Sequence, residues 1–347
     1  MISFRPAMHL LKKACGWQEP DLEATAPERW VIAPSDKRYI QPAKFLPGQL
    51  ERIRAAEFGS VEEVVRDLRG GFEASQGPTL GFRLKHVDFV DGVLYAPGAF
   101  KHLRRRQHKY PAYVIPTERV SGALYESWIG NTWFGTWLCE DCLTYPLAEQ
   151  YGAPVTTAPT PKGHVATYEV KLGHRPRRIE RAHFDELILF SDGAHNAHRK
   201  ARADQLRARL VAGVPIEPNP GVFLLRGQSG MRRLLLNERE IADKVAATKG
   251  FRVLDPMNST VDEIIAACAG ASVVMGVEGS QLVHGLMVMP QDATLFVIQP
   301  PDRAVSALKV ITDRQGQGYS FVVGTGSQDG FTASWDEIER TFDLILN

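Results

Sequence analysis

The chain has 347 residues, of which 44% are hydrophobic and 23% charged, a composition typical of globular proteins with a sizeable core. Its 41 basic and 40 acidic side chains nearly cancel, so the overall charge does not indicate a nucleic-acid-binding protein. The length predicts about two domains. Four cysteines are too few for a disulfide scaffold, no apolar run approaches the ~20 residues of a membrane span, and the N-terminal residues lack the apolar segment of a signal peptide. We therefore expect a cytoplasmic protein.

The N-terminal half predicts strands and helices together with an antiparallel edge. Apolar segments over 84–90 and 93–96 flank Asp91-Gly92, a pair that favours the positive φ angles of a type I′ hairpin turn. Further predicted elements are a helix over 133–149, a strand over 186–190 and a helix over 198–210.

The C-terminal half alternates strands with helices. Predicted strands cover 222–226, 251–254, 271–275, 294–298 and 319–323, and predicted helices cover 232–248, 260–269, 281–289, 304–314 and 334–346. Thr260 with Glu263, and Ser334 with Glu337, have the spacing of capping boxes. This alternation predicts an α/β fold with a mostly parallel, doubly wound sheet.

The breaker-rich segment 213–220 is the best candidate for a linker. We therefore expect an N-terminal α/β domain over 1–213 and a Rossmann-like domain over 221–333. The terminal helix over 334–347 is expected to pack back on the N-terminal domain.

The turn between strand 271–275 and the next helix is the most informative segment. Glu278, Gly279 and Ser280 connect the strand to a helix that begins near Gln281, and such a turn directs free backbone amides at one point. Gly279 would allow close approach of a ligand, and the Ser280 hydroxyl could donate to a phosphate oxygen. The turn therefore predicts a diphosphate site. The alternative is an ordinary strand-to-helix turn, which occurs several times in every doubly wound sheet.

A second candidate follows strand 222–226, at the edge where open α/β sheets bind ligands. Arg226, Ser229, Arg232 and Arg233 could bind a diphosphate through bidentate hydrogen bonds. Adjacent helical residues diverge by about 100°, so we expect Arg226 and only one of Arg232 and Arg233 to face a ligand. The alternative is a solvated basic loop.

Other patterns carry weaker predictions. The glycines over 324–330 do not match a dinucleotide fingerprint, and the Cys139–Cys142 pair lacks the partners of a zinc site, so neither cofactor nor metal is expected. Glu140 or Asp141 could act as a general base, although a solvated carboxylate is the alternative. The basic run over 101–109 is either a solvated face or a contact with an anionic lipid surface.

A family resemblance becomes visible at this point. Arg226, the Arg232-Arg233 pair, Asn237-Glu238, the segment from Gly276 to Leu282, Met289-Pro290 and the end of the strand at Pro301 together resemble family 61 glycosyltransferases. The Asp91-Gly92 hairpin and Trp137-Leu138-Cys139-Glu140 are similar to its N-terminal domain. Two residues depart from the family pattern: Glu278 stands where the family has a loop histidine, and Thr136 where it has a histidine before the tryptophan.

The resemblance implies a GT-B enzyme, in which two Rossmann-like domains face a cleft. It implies an inverting, metal-independent transfer from a nucleotide-sugar to a glycan or lipid-linked acceptor in polysaccharide biosynthesis, with contact to the inner membrane surface as a further expectation. The donor-binding residues would be Arg226, Ser229, Arg232, Arg233, Asn237, Glu238, Glu278, Gly279, Ser280 and Gln281. Glu278 would repel a diphosphate unless an arginine offsets its charge, or would accept hydrogen bonds from ribose or sugar hydroxyls. The alternatives are a non-catalytic nucleotide-sugar or glycan-binding protein with the same fold, and an unrelated Rossmann-like enzyme such as a methyltransferase.

Overall fold

The computed structural model describes residues 1–17, 20–227 and 233–346 of the chain. Its strands are β1 (Ile2–Ser3), β2 (Glu28–Ala33), β3 (Asp36–Ile40), β4 (Phe72–Gln76), β5 (Thr79–Val90), β6 (Val93–Ala96), β7 (Ala99–His102), β8 (Tyr113–Val114), β9 (Arg119–Leu124), β10 (Pro154–Thr156), β11 (Arg177–Arg178), β12 (Ala182–Ser191), β13 (Asn219–Leu224), β14 (Arg252–Leu254), β15 (Ala271–Val277), β16 (Thr294–Gln299), β17 (Gly318–Val323), β18 (Thr325–Ser327) and β19 (Gly330–Thr332).

The helices follow the same chain order. They are α1 (Arg5–Ala14), α2 (Val61–Arg69), α3 (Phe134–Thr136), α4 (Cys142–Tyr151), α5 (Gly163–Leu172), α6 (Ala197–Val211), α7 (Glu238–Lys249), α8 (Val261–Cys268), α9 (Gln281–Leu286), α10 (Ala307–Gln315) and α11 (Trp335–Leu346). A π-helical turn over Trp137–Asp141 joins α3 to α4. Within the described residues, no helix combines the length and the apolarity needed to cross a bilayer.

The chain folds into two compact units that do not follow the predicted domain boundaries. Unit 1 comprises Met1–Ser35 and Gly77–Ala194, and unit 2 comprises Asp36–Gln76 and His195–Asn347. The expected boundary near 213–220 therefore differs from the observed division, because α2, β3, β4 and α6 all belong to unit 2. Local hydrophobic periodicity indicates the type of each element but not the sheet on which it packs.

Unit 1 is built on a mixed sheet in the strand order β11-β10-β9-β12-β5-β6-β7, with β2 also paired to β5. Strands β11, β10, β9 and β12 are parallel, and β12, β5, β6 and β7 are antiparallel neighbours. The predicted hairpin is confirmed: Asp91 and Gly92 join β5 to β6 with φ values of +50° and +79°. Both angles are positive, as a type I′ turn requires.

Unit 2 contains a parallel sheet in the order β14-β13-β15-β16-β17, as the alternation of strands and helices predicted. Side chains alternate across β15: Val273 and Met275 join a core cluster that includes residues of α7 and α11. Val274 points to the other face, where it lies against Gly285 of α9. Helices therefore cover both faces of this sheet, which agrees with an α/β fold.

The two predicted capping boxes differ in outcome. The box at Thr260 is confirmed, since its hydroxyl accepts from the Glu263 amide and the Glu263 carboxylate accepts from the Thr260 amide. At α11 the Ser334 hydroxyl accepts from the Glu337 amide at 3.4 Å, but the Glu337 carboxylate pairs with Arg52 of the same unit. The Glu337 carboxylate therefore binds Arg52, which is distant in sequence, instead of the Ser334 amide that a capping box would use.

Helix α11 packs within unit 2. Its Phe342 ring lies 5.5 Å from Phe251 and 5.1 Å from Phe296, both in edge-to-face arrangement. The same helix pairs through Glu337 with Arg52, a residue of the segment Asp36–Gln76 that belongs to unit 2 although it lies within the predicted N-terminal domain. Truncation of a buried phenylalanine such as Phe342 typically costs about 3–5 kcal/mol, so α11 is an integral part of unit 2.

Candidate functional site

The predicted anion loop lies at the carboxyl edge of the parallel sheet of unit 2. Residues 278–281 follow β15, and we call them the 278–281 loop. Arg226 follows the neighbouring strand β13 and Arg303 follows β16 on the other side. Carboxyl ends of parallel strands meet at one edge of a sheet, so these three segments converge, and this edge is where open α/β sheets bind ligands.

Hydrogen bonds position both the backbone and the side chain of Arg226. Its amide and that of Gly227 donate to the two oxygens of the buried Glu238 carboxylate at 2.8 and 2.9 Å. Its Nη1 donates to Gln281 Oε1 at 3.0 Å, and Gln281 Nε2 donates to the Val277 carbonyl. Glu238 therefore positions the backbone of Arg226, and Gln281 orients its guanidinium towards the 278–281 loop.

Gly279 allows the Arg226 guanidinium to approach the loop backbone. The glycine has φ of +153°, and a Cβ atom built on it would lie 2.0 Å from Arg226 Nη1 and 2.5 Å from Gln281 Oε1. No side chain fits there without displacing these groups. The space beside Gly279 is therefore taken by the Arg226 guanidinium, and the approach of a ligand to this backbone stays a prediction.

Glu278 lies in the middle of a group of cations. Its carboxylate Oε2 is 2.5 Å from Arg233 Nη1 and 3.8 Å from Arg303 Nη1. Arg233 Nη1 also donates to the Glu278 carbonyl at 3.0 Å, and Arg303 Nη2 is 2.6 Å from Glu57 Oε1. We call Arg226, Arg233 and Arg303 the arginine cluster. The repulsion expected from a carboxylate at position 278 is thus offset by two arginines in this unliganded structure.

Burial governs the electrostatics of this cluster. Burial, assisted by the neighbouring Arg233, lowers the pKa of the Arg226 guanidinium to about 10. It also lowers the pKa of Arg233, against the attraction of Glu278. Burial raises the pKa of Glu278 although Arg233 and Arg303 act in the opposite direction, and it raises the pKa of Glu238. Burial therefore favours side chains that are uncharged or whose charge is neutralised by a neighbouring group. An anionic ligand would neutralise the arginines in this way.

The remaining predicted donor residues have separate positions. Asn237 exchanges two hydrogen bonds with the backbone of Ala333, at 2.9 and 3.2 Å, so its amide is used to hold the start of α7. Ser280 is half-buried at the beginning of α9 and its hydroxyl caps no helix amide. Ser229 and Arg232 lie outside the described residues. Arg233, which the structure describes, lies beside Glu278.

Asp141 in unit 1 has a clear structural environment. Its oxygens accept from the Ser127 amide at 3.0 Å and the Ser127 hydroxyl at 2.8 Å, and it is 3% exposed. A Cβ on Gly130 would lie 1.9 Å from Asp141 Oδ2, so the carboxyl also packs tightly against this turn. Burial raises the pKa of Asp141 to about 8, with the Ser127 hydrogen bonds opposing the shift. Asp141 therefore holds the 127–130 turn.

A cavity of about 530 Å³ opens beside that turn at the carboxyl ends of β9 and β10. Phe134 and Trp137 contribute aromatic walls, and Glu126 contributes a carboxylate. Neither Glu140 nor Asp141 is among the residues that line it. The cavity has the size and the mixed aromatic and polar lining of a small-molecule site.

Glu126 is a carboxylate of that cavity that is held by two hydrogen bonds. Its Oε2 accepts from the Thr156 hydroxyl at 2.8 Å and its Oε1 from the Thr157 amide at 2.9 Å. Arg104 Nη2 lies 3.6 Å away, and the Glu126 side chain is 3% exposed. A second ion pair, Arg178 with Glu169 at 2.5 Å, also lines the cavity. Such fixed charged groups can orient the hydroxyl groups of a sugar.

Potential metal ligands come together at one place among the described residues. Ligand atoms of His86, His183 and Asp185 all lie within 4.8 Å of one another. Asp185 pairs with Arg119, and His183 Nδ1 is 2.7 Å from Asp88 Oδ1. We interpret this trio as part of a hydrogen-bonded ion-pair network and assign no metal to it. Cys139 and Cys142 are buried within the helical segment and are not joined by a disulfide.

Sequence reasoning missed Arg303 and Glu57 in unit 2, and Glu126 in unit 1. Arg303 could have been found, because it follows the Pro300-Pro301 end of a predicted strand at the ligand-binding edge. Glu126 follows β9, a strand that we did not predict. Glu57 carries no local signal, since its segment joins unit 2 from a distant part of the chain.

Comparison with solved structures gives weak likenesses. The metal-soaked Flv1 flavodiiron core from Synechocystis sp. PCC6803 is 11% identical, covers 52% of this chain and 45% of its own, and has a TM-score of 0.27. The flavodiiron protein from Giardia intestinalis is 11% identical, with 49% and 43% covered and a TM-score of 0.26. A putative alcohol dehydrogenase from Thermotoga maritima is 15% identical, with 49% and 51% covered and a TM-score of 0.20. The chain spans about half the length of these proteins, and likenesses at such TM-scores do not establish a shared fold.

No curated protein matches the chain significantly. The family model described as Glycosyltransferase 61 matches residues 83–296, which is more than half of the 347 residues. The matched region begins in β5 and ends in β16, and it includes Arg226, Arg233 and the 278–281 loop. The resemblance inferred from the motifs is confirmed, and the chain belongs to glycosyltransferase family 61.

Proposed function

We propose that this protein transfers a sugar from a nucleotide-sugar donor to a hydroxyl group of a glycan or lipid-linked acceptor in polysaccharide biosynthesis. Membership of the family supports glycosyl transfer. One observation carries the donor assignment: the arginine cluster converges on the 278–281 loop at the carboxyl edge of a parallel sheet. Guanidinium groups bind phosphates through paired, charge-assisted hydrogen bonds, which suits a diphosphate leaving group.

Each group at this edge has a definite task in the proposal. Arg226 and Arg233 bind the diphosphate and stabilise the charge that develops on it as the glycosidic bond breaks. Gly279 leaves room for the Arg226 guanidinium beside the loop backbone, and the Ser280 hydroxyl donates to a phosphate oxygen. The guanidiniums provide the positive charge that a divalent cation supplies in other transferases, so the transfer needs no metal.

The acceptor binds in the 530 Å³ cavity of unit 1. Its aromatic residues stack on the apolar face of a sugar ring, and its ion pairs orient the hydroxyl groups. A carboxylate of unit 1 removes the proton from the attacking hydroxyl, which then displaces the diphosphate in line and inverts the anomeric carbon. Glu140 and Asp141 are the bases proposed from the sequence, and Glu126 joins them because it lines the cavity. The proposal includes a GT-B organisation, with the donor held by unit 2 and the acceptor by unit 1.

The donor site is tested with Arg226→Ala and Arg233→Ala. Each is expected to weaken the binding of nucleoside diphosphates at least about tenfold, or about 1.4 kcal/mol, because a charge-assisted contact is lost. Isothermal titration measures the affinity, and release of free sugar from a panel of nucleotide-sugars measures turnover. Arg239→Ala is the matched control, since that side chain is 72% exposed on α7. Unchanged affinity in both cluster variants would exclude this site.

The general base is tested separately with Glu126→Gln, Glu140→Gln and Asp141→Asn. The variant of the base loses turnover while its affinity for nucleoside diphosphates is retained, because the base does not contact the leaving group. Turnover measured with excess chelator tests the metal-independent transfer in the same assay.

A non-catalytic nucleotide-sugar-binding protein is the second candidate function. The observation that favours it is Glu278 at the position of the family's loop histidine, paired with Arg233 in the unliganded site. Saturable binding of a nucleotide-sugar, without hydrolysis or transfer to any offered acceptor, would support this candidate over the enzyme.

A further inference from the structure

Helix α1 of unit 1 carries apolar and polar residues on different sides. Phe4, Met8 and Leu11 are spaced four and three residues apart, so they form a single stripe, which we call the apolar stripe. Arg5 and His9 are each one position later and lie about 100° further round the helix. Helices of this kind normally bury the apolar side against the protein core.

The structure shows the opposite orientation. The three residues of the apolar stripe are 61%, 58% and 66% exposed in chain order. The polar side is the one that contacts the protein: Arg5 Nη1 donates to Asp88 Oδ2 and to the Tyr95 carbonyl, both at 2.8 Å. The His9 ring lies 3.8 Å from the Phe100 ring. The helix therefore presents its apolar stripe to solvent.

Backbone contacts hold the helix in this orientation. The Ala7 amide donates to the Pro111 carbonyl at 2.9 Å. The residues before the helix pair as β1 with β8, which brings Ser3 opposite Tyr113. The exposure of the apolar stripe is thus a consequence of specific contacts with unit 1.

The surroundings of the apolar stripe are cationic. No aspartate or glutamate occurs in residues 1–17, or in residues 92–117, the stretch that contains β8 and the contact at Pro111. The basic run over 101–109 belongs to this stretch, and Arg105, His108 and Lys109 are exposed there. This face of unit 1 therefore combines apolar side chains with positive charge and lacks carboxylates in the two segments that form it.

Further apolar side chains extend the same face. Ile2 of β1 and Val114 of β8 are 60% and 57% exposed on paired strands. Trp17 and Tyr110 are 70% and 65% exposed, and these residue types are enriched where proteins meet the boundary between water and lipid.

We propose that this face of unit 1 binds the surface of a membrane that contains anionic lipids. The apolar stripe enters the boundary between headgroups and acyl chains, and the basic run is attracted by the negative surface potential. Charge complementarity favours a bilayer as the occupant, because a surface of uniform negative charge suits a face on which cations outnumber the nearby carboxylates, such as Asp88 and Asp91. Binding at this face is independent of the donor site, and it would hold the enzyme near a lipid-linked acceptor.

Vesicle sedimentation tests the proposal on the full chain. Vesicles of equal parts phosphatidylglycerol and phosphatidylcholine are expected to bind the protein, with binding that weakens as salt is added, whereas pure phosphatidylcholine vesicles bind it far more weakly. The double variant Met8→Glu/Leu11→Glu is expected to bind the anionic vesicles at least about tenfold more weakly. Both positions are exposed, so the fold is retained. Val170→Glu is the matched control, because Val170 is an 80% exposed apolar residue on α5.

Arg105→Glu/Lys109→Glu tests the electrostatic part and is expected to reduce both the binding and its salt dependence. Failure of the unaltered protein to bind anionic vesicles, or equal binding by Met8→Glu/Leu11→Glu, would overturn the proposal. Sedimentation equilibrium without vesicles tests the alternative that the face binds a second copy of the chain. That alternative would replace the proposal if the unaltered protein self-associates and does not bind vesicles, and if Met8→Glu/Leu11→Glu abolishes the self-association. Nucleoside diphosphate affinity is measured in the same variants and should not change, so failure here is separable from failure of the donor site.

Discussion

Replacing Glu278 by glutamine is expected to tighten the binding of nucleoside diphosphates, most strongly at high pH. The Glu278 carboxylate is the counter-ion of Arg233, at 2.5 Å, and lies 3.8 Å from Arg303. A diphosphate that binds the same guanidiniums must displace this carboxylate, neutralise it or tolerate its charge. Glutamine retains the shape and an acceptor oxygen but removes the negative charge.

The magnitude follows from the distances. Two anions held on one guanidinium lie roughly 5 Å apart, and at an effective dielectric constant of about 20 their repulsion is on the order of 3 kcal/mol per pair of unit charges. Burial raises the pKa of Glu278, so the protein relieves part of this repulsion when the carboxylate takes up a proton. We therefore expect a ten- to hundredfold gain in affinity, which corresponds to about 1.4–2.7 kcal/mol.

The sign of the pH dependence follows from the same raised pKa. As pH rises, proton uptake by Glu278 becomes more costly, so the affinity of the unaltered protein falls relative to that of Glu278→Gln.

Isothermal titration with a nucleoside diphosphate measures the ratio of the affinities of Glu278→Gln and the unaltered protein. The titrations cover about pH 6 to about pH 9, a range in which buried carboxyl groups titrate. The phosphate of the ligand also titrates, but it does so equally for both proteins and cancels in the ratio. Glu240→Gln on the exposed side of α7 is the control for the substitution itself. Weaker binding by Glu278→Gln would refute the reasoning, because it would mean that the negative charge of Glu278 assists the binding of the ligand.

Three further predictions follow from single sites. Gly279→Ala should abolish nucleoside diphosphate binding in titration, because its Cβ would displace Arg226, whereas Gly193→Ala, with open space around it, should bind normally. Burial raises the pKa of Asp141 from 3.8 to about 8. Asp141→Asn should therefore become more stable relative to the unaltered protein as pH rises from about 4 to about 8, by up to ~1.4 kcal/mol per pH unit. If the two proteins have equal urea midpoints both at about pH 5.5 and at about pH 8, the prediction is wrong. Thr260→Ala should lower the free energy of unfolding by about 1 kcal/mol in urea denaturation, because α8 loses its cap.

Unit 2 was predictable from sequence where local chemistry decides the structure. The capping pair at Thr260 and Glu263 fixes the start of α8, and the alternation of short apolar runs with amphipathic segments predicts the parallel sheet. The position of the 278–281 loop was predictable for the same reason, since a strand that ends before Glu278-Gly279 must turn at the carboxyl edge of the sheet. In unit 1 the Asp91-Gly92 turn gave an equally local signal.

Long-range contacts account for what the sequence could not show. Ser334 and Glu337 have the spacing of a capping box, but Arg52 from a distant segment takes the Glu337 carboxylate. Glu57 reaches the arginine cluster through the same segment, whose membership of unit 2 has no local signature. The orientation of α1 was also not predictable, because periodicity defines an apolar stripe without indicating which side contacts the protein.

The departure from the family pattern at position 278 is best understood together with the residues around it. With a histidine there, the arginine cluster would meet a neutral or cationic neighbour in the unliganded state, and Glu57 and Glu238 would be the nearby carboxylates left to balance it. With glutamate there, the Glu278 carboxylate neutralises Arg233 and Arg303. The same carboxylate would then compete with a diphosphate for these arginines. In the proposed function, Glu278 occupies electrostatically the place of the donor's negative charge, and its presence would shift the free energy of donor binding without removing the arginines. The retained arginines therefore support the proposal that this site binds a diphosphate.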